Sequence, residues 1–371
     1  LTFTFYFEVI FFMNKTLVIV ISCLAFIILC FFGGYFFLEN EIKKPFKAEG
    51  DFRVFHIQEN TQLRDIADSL KNAGLIRSDT PFIYYILKND KDHLKDGYYC
   101  LSPAMNIPQI VAAIEKGGAR KEVKITFPEG FRLTQIEDKL ESNFNQKFDL
   151  TNLRIKDFKN EYSFLNDAPD DFSLEGYFFP DTYFFSCLEP EVKCLNGEPM
   201  LAKCNKGDRE EIIQKFLSNF DKKLTSDLKE EIQKQNKTIF QIVTMASILE
   251  KEVQSFEDKQ IVSGIFWKRI QNRQPLQSCS TVAYILNQNG WTFAQMQQEI
   301  AENKNIDSPY NTYRYSGLPA GPISNPGLDS IKAAIYPIET NYNYFLTDPS
   351  TGKTIFSKTL EEHNQNIAKY F

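Results

Sequence analysis

A glutamate inside the apolar stripe of a helix is the residue best placed to do chemistry in this sequence. In the stretch Ile239–Val253 (IFQIVTMASILEKEV), Ile239, Ile242, Val243, Ala246, Leu249 and Val253 recur at three- and four-residue spacing, the pattern of an amphipathic helix. At about 100° per residue, the polar line runs through Gln241, Thr244, Ser247, Lys251 and Gln254. Glu250 lies one turn past Ala246, inside the apolar arc, whereas Glu252 sits roughly 200° further round, at the polar edge. The two acids cannot share a site, and only Glu250 points toward a core. Carboxylates are seldom buried without a partner. Two readings follow. Glu250 is either an edge glutamate paired with Lys or Arg or reaching solvent, or a carboxyl in a cleft whose pKa is raised by desolvation so that it serves as a general acid.

Other residues that carry chemistry are sparse. His56, His93 and His363 are far apart, which argues against a histidine metal site or a Ser-His triad, so no metal and no cofactor is expected. Cys187, Cys194 and Cys204 fall close together among Glu-Pro and Asn-Gly turn signals. In an oxidising compartment two of them would close a disulfide loop, and their spacing fits zinc poorly. Cys23 and Cys30 lie in an apolar run, and Cys100 and Cys279 stand alone. A chain of 371 residues, 43% hydrophobic, 24% charged and with net charge −6, is long enough for two domains. That balance lacks the basic face that nucleic acid requires.

The elements that must position Glu250 can be read in order. The chain begins with Leu1, and Met13 is the more natural start, with 1–15 as a cytoplasmic tail. The uncharged run 16–38 is long enough to span a bilayer and lacks a signal-peptide cleavage site, so it reads as an uncleaved anchor. Lysine counts either side of it (Lys15 before; Lys43, Lys44 and Lys47 after) mildly favour the opposite orientation to a domain facing outward. A charged linker, 39–50, leads into a compact α+β module over 51–120: a strand at Arg53–Ile57, a helix from Thr61 (its N-cap) to Ala73, a helix with Pro81 at its first position, a strand at Gly97–Leu101, and a helix from Ile107. The strand–turn–helix pattern of 57–70 recurs in register at 127–140, with Asn60 and Gly130 at matching turns. The first module resembles a LysM fold, a glycan-gripping unit.

The remaining stretch, 121–371, reads as a mixed α+β domain. Residues 141–172 read as helical with loops, Leu174–Tyr183 (LEGYFFPDTY) as a strand leading into a turn, and 186–207 as a cysteine-bearing insertion. Helices follow at 209–220, 225–235 and 259–270, with a strand pair at 342–347 and 354–357. Asp307–Tyr313 and Tyr315–Gly327 are too rich in Pro, Gly, Asn and Tyr for long helices or central strands, and such stretches commonly wall a binding groove; a Pro-stiffened structural loop is the alternative.

Five of these motifs, in this order, carry a family resemblance: LEGYFFPDTY at 174–183, ASILEKE at 246–252, SPYNTY at 308–313, GLPAGPISNPG at 317–327 and the closing His363-Asn364. Over roughly 51–371 the chain resembles the endolytic murein transglycosylases, the MltG or YceG-like family. The resemblance implies a single-pass inner-membrane protein whose periplasmic domain cuts nascent peptidoglycan, with cell-wall synthases as partners. It places the catalytic acid on Glu250 and suggests Gln277, Ser280, Thr281, Tyr310, Asn311, Tyr313 and Asn325 as groove residues. Where the family has an acidic-proline step, this chain has Ser278-Cys279-Ser280, which leaves a charge unreplaced.

The implied reaction needs only one carboxyl, because the C6 hydroxyl of N-acetylmuramic acid can attack C1 and leave a 1,6-anhydro end, whereas hydrolysis uses two. A pKa lifted from about 4.3 toward neutrality would suit that acid, and no second carboxylate shares the helix face of Glu250. The alternatives are a hydrolytic muramidase assisted by Glu252 or Asp181, and an anchored glycan-binding scaffold without activity.

Overall fold

The computed structural model describes residues 2–91, 94–119, 122–286, 293–348 and 350–370, and the side chains of all these except 2–18 and 293–297. Helix α1 (Thr2–Lys43) contains the expected anchor run and continues five residues beyond its expected end at 38. Its stretch Ile19–Lys43 is long and apolar enough to cross a bilayer, with a mean hydropathy of 2.5. Side chains such as Phe26 and Leu29 stand exposed, while Ile42 is buried.

Two compact units follow from the packing: one reaches to the neighbourhood of residue 119 and includes Pro190–Lys203, and the other comprises Glu122–Glu189 and Cys204 onward. The expected boundary at 120/121 lies outside the described residues.

In the first unit the order after α1 is β1 (Arg53–Ile57), α2 (Leu63–Asn72), α3 (Asp79–Lys88), β2 (Gly97–Leu101) and α4 (Ile107–Lys116). β1 and β2 pair antiparallel, with Phe55 opposite Tyr99. The apolar stripes read from sequence bury together: Ile66 and Leu70 of α2, Phe82 and Ile86 of α3, and Ile110 and Ile114 of α4. Asn106 and Gln109 close a reciprocal capping box at the start of α4, satisfying donors that the first turn leaves open. Thr61 is not the cap of α2. Gln62 occupies that position, and the Thr61 hydroxyl instead donates to the Gln58 carbonyl at 2.7 Å, holding the turn in which Asn60 takes φ 61°.

The second unit begins with β3 (Glu122–Thr126), α5 (Leu133–Phe144) and β4 (Thr182–Ser186). β3 and β4 are antiparallel, with Ile125 opposite Tyr183. The repeated turn is real at the level of backbone geometry, since Gly130, like Asn60, has positive φ (75°). Between α5 and β4 only short 3-10 turns occur, at Ile155–Asp157 and Ser163–Leu165.

The aromatic run also differs from expectation. Leu174–Pro180 is a buried turn segment, Asp181 is half-buried, and strand pairing starts at Thr182. Gly176 (φ 93°) explains this locally, because a Cβ there would lie 2.6 Å from Pro322 Cβ and 2.7 Å from Val243 Cγ1. The chain must turn at that point with no side chain at all.

The cysteine-bearing segment forms a two-stranded hairpin, β5 (Pro190–Leu195) and β6 (Glu198–Cys204). Cys187 and Cys204 form the loop-closing bridge expected of that trio (Cα–Cα 5.9 Å). Cys100 does not stand alone, because it bonds Cys194 across 94 residues and ties β5 to β2 (Cα–Cα 5.6 Å).

Helices α6 (Arg209–Lys223), α7 (Ser226–Lys234), α8 (Ile239–Glu252), α9 (Phe256–Gln271), α10 (Cys279–Ile285), α11 (Phe293–Asn303) and α12 (Leu328–Ile335) follow. The chain closes with the antiparallel pair β7 (Tyr344–Thr347) and β8 (Thr354–Ser357), then α13 (Leu360–Tyr370). α8 is the axis of this unit, covered by α12 and α9.

Candidate active site

α8 is fixed at its start by polar chemistry and along its length by burial. The Thr238 hydroxyl accepts the Gln241 N–H at 3.1 Å while the Gln241 side chain accepts the Thr238 N–H at 3.0 Å. The Asp167 carboxylate accepts the N–H groups of Ile239 and Phe240 at 2.6 and 3.2 Å, where a negative charge complements the helix dipole.

Every residue from Ile242 to Leu249 is buried. The line through Thr244 and Ser247 is therefore not solvated. The Thr244 hydroxyl donates to the Phe240 carbonyl (2.7 Å), and that of Ser247 to the Thr244 carbonyl (2.7 Å) while accepting the Ile323 N–H (3.0 Å). The Pro- and Gly-rich segment 317–327 covers what the sequence pattern marks as the polar face.

Glu250 lies at the C-terminal end of this buried run, its side chain 9% exposed. Oε1 receives the Lys259 ammonium of α9 at 3.1 Å, and Lys259 is itself buried at 4% side-chain exposure. Oε2 accepts the Gly327 N–H at 2.9 Å and the Ser330 hydroxyl at 2.7 Å. The two readings of the sequence thus combine: the glutamate is paired with a lysine, and the pair is buried. The expected apolar pocket is instead a cage of three donors. A buried ion pair is held together because removing either partner strands a charge.

A second carboxyl reaches this place from another element. Glu129, in the turn between β3 and α5, extends past Gly327, and a Cβ on Gly327 would lie 1.9 Å from its Oε1. Burial, then the Glu250 charge, push the Glu129 carboxyl upward in pKa. Asp329 adds to this and Lys259 opposes it. The absence of a neighbouring acid, inferred from one helix face, therefore does not hold for the folded site.

On the other side of Glu250, the Lys251 ammonium approaches the Gly130 carbonyl at 3.4 Å. Burial and the nearby Arg132 cation lower its pKa, against the pull of Glu250. The Arg132 guanidinium, 8% exposed, lies over the Tyr284 ring at 4.9 Å.

Glu252 and Asp181 are engaged elsewhere. The Glu252 carboxylate accepts the Ser278 hydroxyl (2.5 Å) and the Ser280 N–H (3.3 Å) at the start of α10. Asp181 accepts from Asn219 (3.1 Å) and faces Lys223 (3.5 Å). Neither is recorded in contact with Glu250.

The groove residues suggested by sequence separate into two sets. Gln277 is exposed, with φ 53° and its N–H on the Thr312 carbonyl (2.9 Å). Half-buried Ser280 shares a hydrogen bond with Ser278 (2.7 Å). Tyr310, also half-buried, packs its ring 4.9 Å from that of Tyr284, and the Tyr313 hydroxyl meets Cys279 Sγ at 3.0 Å.

Thr281, Asn311 and Asn325 are buried, and their polar groups are spent within the protein. Thr281 bonds the Ser278 carbonyl and the Thr312 hydroxyl. Asn311 donates to the Lys304 and Ile306 carbonyls and accepts the Tyr313 N–H. Asn325 accepts the N–H groups of Gly176 and Phe178, each at 2.9 Å, and donates to the Phe131 carbonyl and to Glu175. In this structure Asn311 and Asn325 hold loops in place and present no free group to a sugar.

Sequence reasoning missed Glu175, Lys259, Glu129, Gly327 and Ser330. Lys259 had a legible signal, for it lies on the stripe of Val262 and Phe266, an apolar face interrupted by a charge just as Glu250 interrupts α8. Glu175 is buried, and burial pushes its carboxyl up to about 8, against the Leu133 N–H, Arg132 and Asn325.

The chain matches the model of the YceG-like family over residues 55–369. It is 29% identical to an endolytic murein transglycosylase of Bacillus subtilis, with 91% of this chain and 90% of that protein covered. It is 28% identical to one from Streptococcus pneumoniae serotype 2, over 95% of this chain and 65% of that longer protein. The crystal structure of a YceG-like protein from Listeria monocytogenes is similar over 86% of this chain and all of that one, at 30% identity and a TM-score of 0.52. A match to the family model that runs from β1 to α13 and encloses the Glu250 cage identifies this chain as a member of the YceG-like family.

Proposed function

We propose that this chain is an endolytic murein transglycosylase: it cleaves the β-1,4 bond from N-acetylmuramic acid to N-acetylglucosamine within nascent peptidoglycan strands, leaves 1,6-anhydro ends, and so terminates strand growth. Glu250 is its acid–base residue. The observation that carries the reading is the buried Glu250 cage inside the matched region: a carboxyl fixed by Lys259, Gly327 and Ser330 and held in one orientation, as proton transfer in a transition state requires. The C6 hydroxyl of the sugar acts as the nucleophile, so no protein nucleophile is needed.

The molecule is held by α1 as a single inner-membrane anchor, with the catalytic unit in the periplasm. The two disulfides support that side, because structural disulfides persist in oxidising compartments. The order β1-α2-α3-β2 with antiparallel strands supports a LysM-like glycan-holding role for the first unit. Cell-wall synthases are the partners that such an activity on nascent strands calls for.

Replacing Glu250 with Gln is expected to abolish cleavage of purified glycan strands while binding to sacculi persists; turnover near wild type would sink the assignment. A hydrolytic muramidase is the second reading, favoured by the nearby Glu129 carboxyl. Mass spectrometry separates the two, since anhydro ends are one water lighter than reducing ends.

A further inference from the structure

We propose that Arg132, stacked on Tyr284 near the end of α8, is the core of an anion subsite that takes a carboxylate carried by the glycan strand. The inference deepens the transglycosylase reading and rests on it. What it adds is a feature of the substrate that the sugar ring itself lacks.

Arg132 stands where an arginine is least expected. It is the N-cap of α5, a position that favours Ser, Thr, Asp or Asn, whose side-chain oxygen accepts a free N–H. A guanidinium offers no acceptor, and its charge lies at the positive end of the helix dipole. Neighbours do the capping instead. The Gln135 side chain accepts the Arg132 N–H at 3.0 Å, and the Glu175 carboxyl accepts the Leu133 N–H at 3.2 Å.

This cation is also costly to bury. Arg132 is 8% exposed, and its Nη1 is buried with no hydrogen-bond partner among the described residues. Charges at that depth are ordinarily paired. Glu175, whose charge attracts Arg132, turns its oxygens to Leu133 and Asn325. The guanidinium lies over the Tyr284 ring at 4.9 Å, and the Tyr310 ring packs 4.9 Å from that of Tyr284. Stacking on this aromatic platform sets the position of the guanidinium before a ligand arrives.

The loop carrying Arg132 is tied to the end of α8. The Gly130 N–H donates to the Asn325 carbonyl and the Asn325 N–H to the Phe131 carbonyl, each at 2.8 Å. A Cβ on Gly130 would lie 3.3 Å from Glu250 Cγ, so Arg132 follows directly on the segment that touches the acid. Exposed Lys251 approaches the Gly130 carbonyl at 3.4 Å and adds a second positive charge, close enough for Arg132 to disfavour its protonation. A planar carboxylate suits this pair, because a guanidinium grips it through two parallel N–H groups. Peptidoglycan strands carry such groups on the stem peptide, or on the lactyl ether once the peptide is removed. A chain of N-acetylglucosamine alone carries none.

The test uses the full chain in detergent with peptide-bearing and amidase-stripped glycan strands, each with its carboxylates intact or converted to amides. Amidation is expected to raise the wild-type KM by about 10- to 100-fold with kcat nearly unchanged. Arg132→Gln is expected to show the same rise on intact strands and no further rise on amidated ones. Arg132→Lys, which keeps the charge and loses the fork, is expected to fall between them. An amidation effect confined to peptide-bearing strands assigns the carboxylate to the stem peptide, and one confined to stripped strands assigns it to the lactyl group. Wild type indifferent to amidation of both strands overturns the inference. So does a folded Arg132→Gln that loses as much on amidated strands as on intact ones, since that marks a structural arginine. If the glutamine variant does not fold, Arg132→Lys decides by the same comparison, an undiminished amidation effect counting against the subsite. Wild type that cleaves no strand removes the underlying reading instead, and binding of the four strands to Glu250→Gln still reads whether a carboxylate is preferred.

Discussion

Glu175 shows how a single buried residue can shape stability. It is buried against the Leu133 N–H and Asn325, and burial lifts its carboxyl to about 8. A glutamate in the unfolded chain titrates near 4.3. Between these values the folded state keeps a proton that the unfolded state has lost, so stability falls as pH rises through the window. Replacing Glu175 with Gln is expected to flatten that slope, read as urea unfolding midpoints at mildly acidic and mildly alkaline pH. A slope equal to that of the wild type would show that other groups set it. Asn325 works beside Glu175 as a clamp, since its side chain spans the 131, 175, 176 and 178 backbone or side-chain groups. Buried amides left unpaired are costly, which accounts for an asparagine at that point of the Pro/Gly-rich stretch without invoking a sugar.

At the scale of elements, α8 is the part on which the site depends. Its direction is set by the Thr238–Gln241 capping box and by Asp167, and its face by the cover of α12 and α9. Thr238→Ala is expected to cost about 1 kcal/mol in denaturant unfolding, with the Glu250 chemistry retained, because the cap lies three turns from Glu250. A much larger loss of activity than of stability would mean that α8 moves when its cap is released. The loop before α5 matters for a different reason: the left-handed turn at Gly130 brings Glu129 to the end of α8, where Lys251 approaches the Gly130 carbonyl and a Cβ on Gly130 would already press on Glu250 Cγ at 3.3 Å.

For the whole molecule, the disulfides are the strongest statement about environment. The Cys187–Cys204 bridge closes a loop of 17 residues in sequence, for which chain-entropy arguments give about 3 kcal/mol. Labelling of oxidised protein in denaturant is expected to find three thiols, Cys23, Cys30 and Cys279, and all seven cysteines after reduction. Reduction should also lower the urea midpoint. Seven thiols in protein taken from its own membrane would contradict both the pairing and the periplasmic placement.

Local spacing determined much on its own. The anchor, the strands at 53–57, 97–101 and 354–357, and most helices follow from apolar periodicity and turn residues, because those depend on neighbours in sequence. The same rule placed Glu250 at the core, since a helix face is defined by its own residues. What spacing could not supply is who meets that face. The burial of Thr244 and Ser247, the pairing of Glu250 with Lys259, the arrival of Glu129 over Gly327, and the Cys100–Cys194 bond all join residues brought together only by folding. Their partners come from loops and helices whose contacts leave no period in the sequence. A charge on an apolar stripe thus announces that a partner exists, and the tertiary structure alone decides which one.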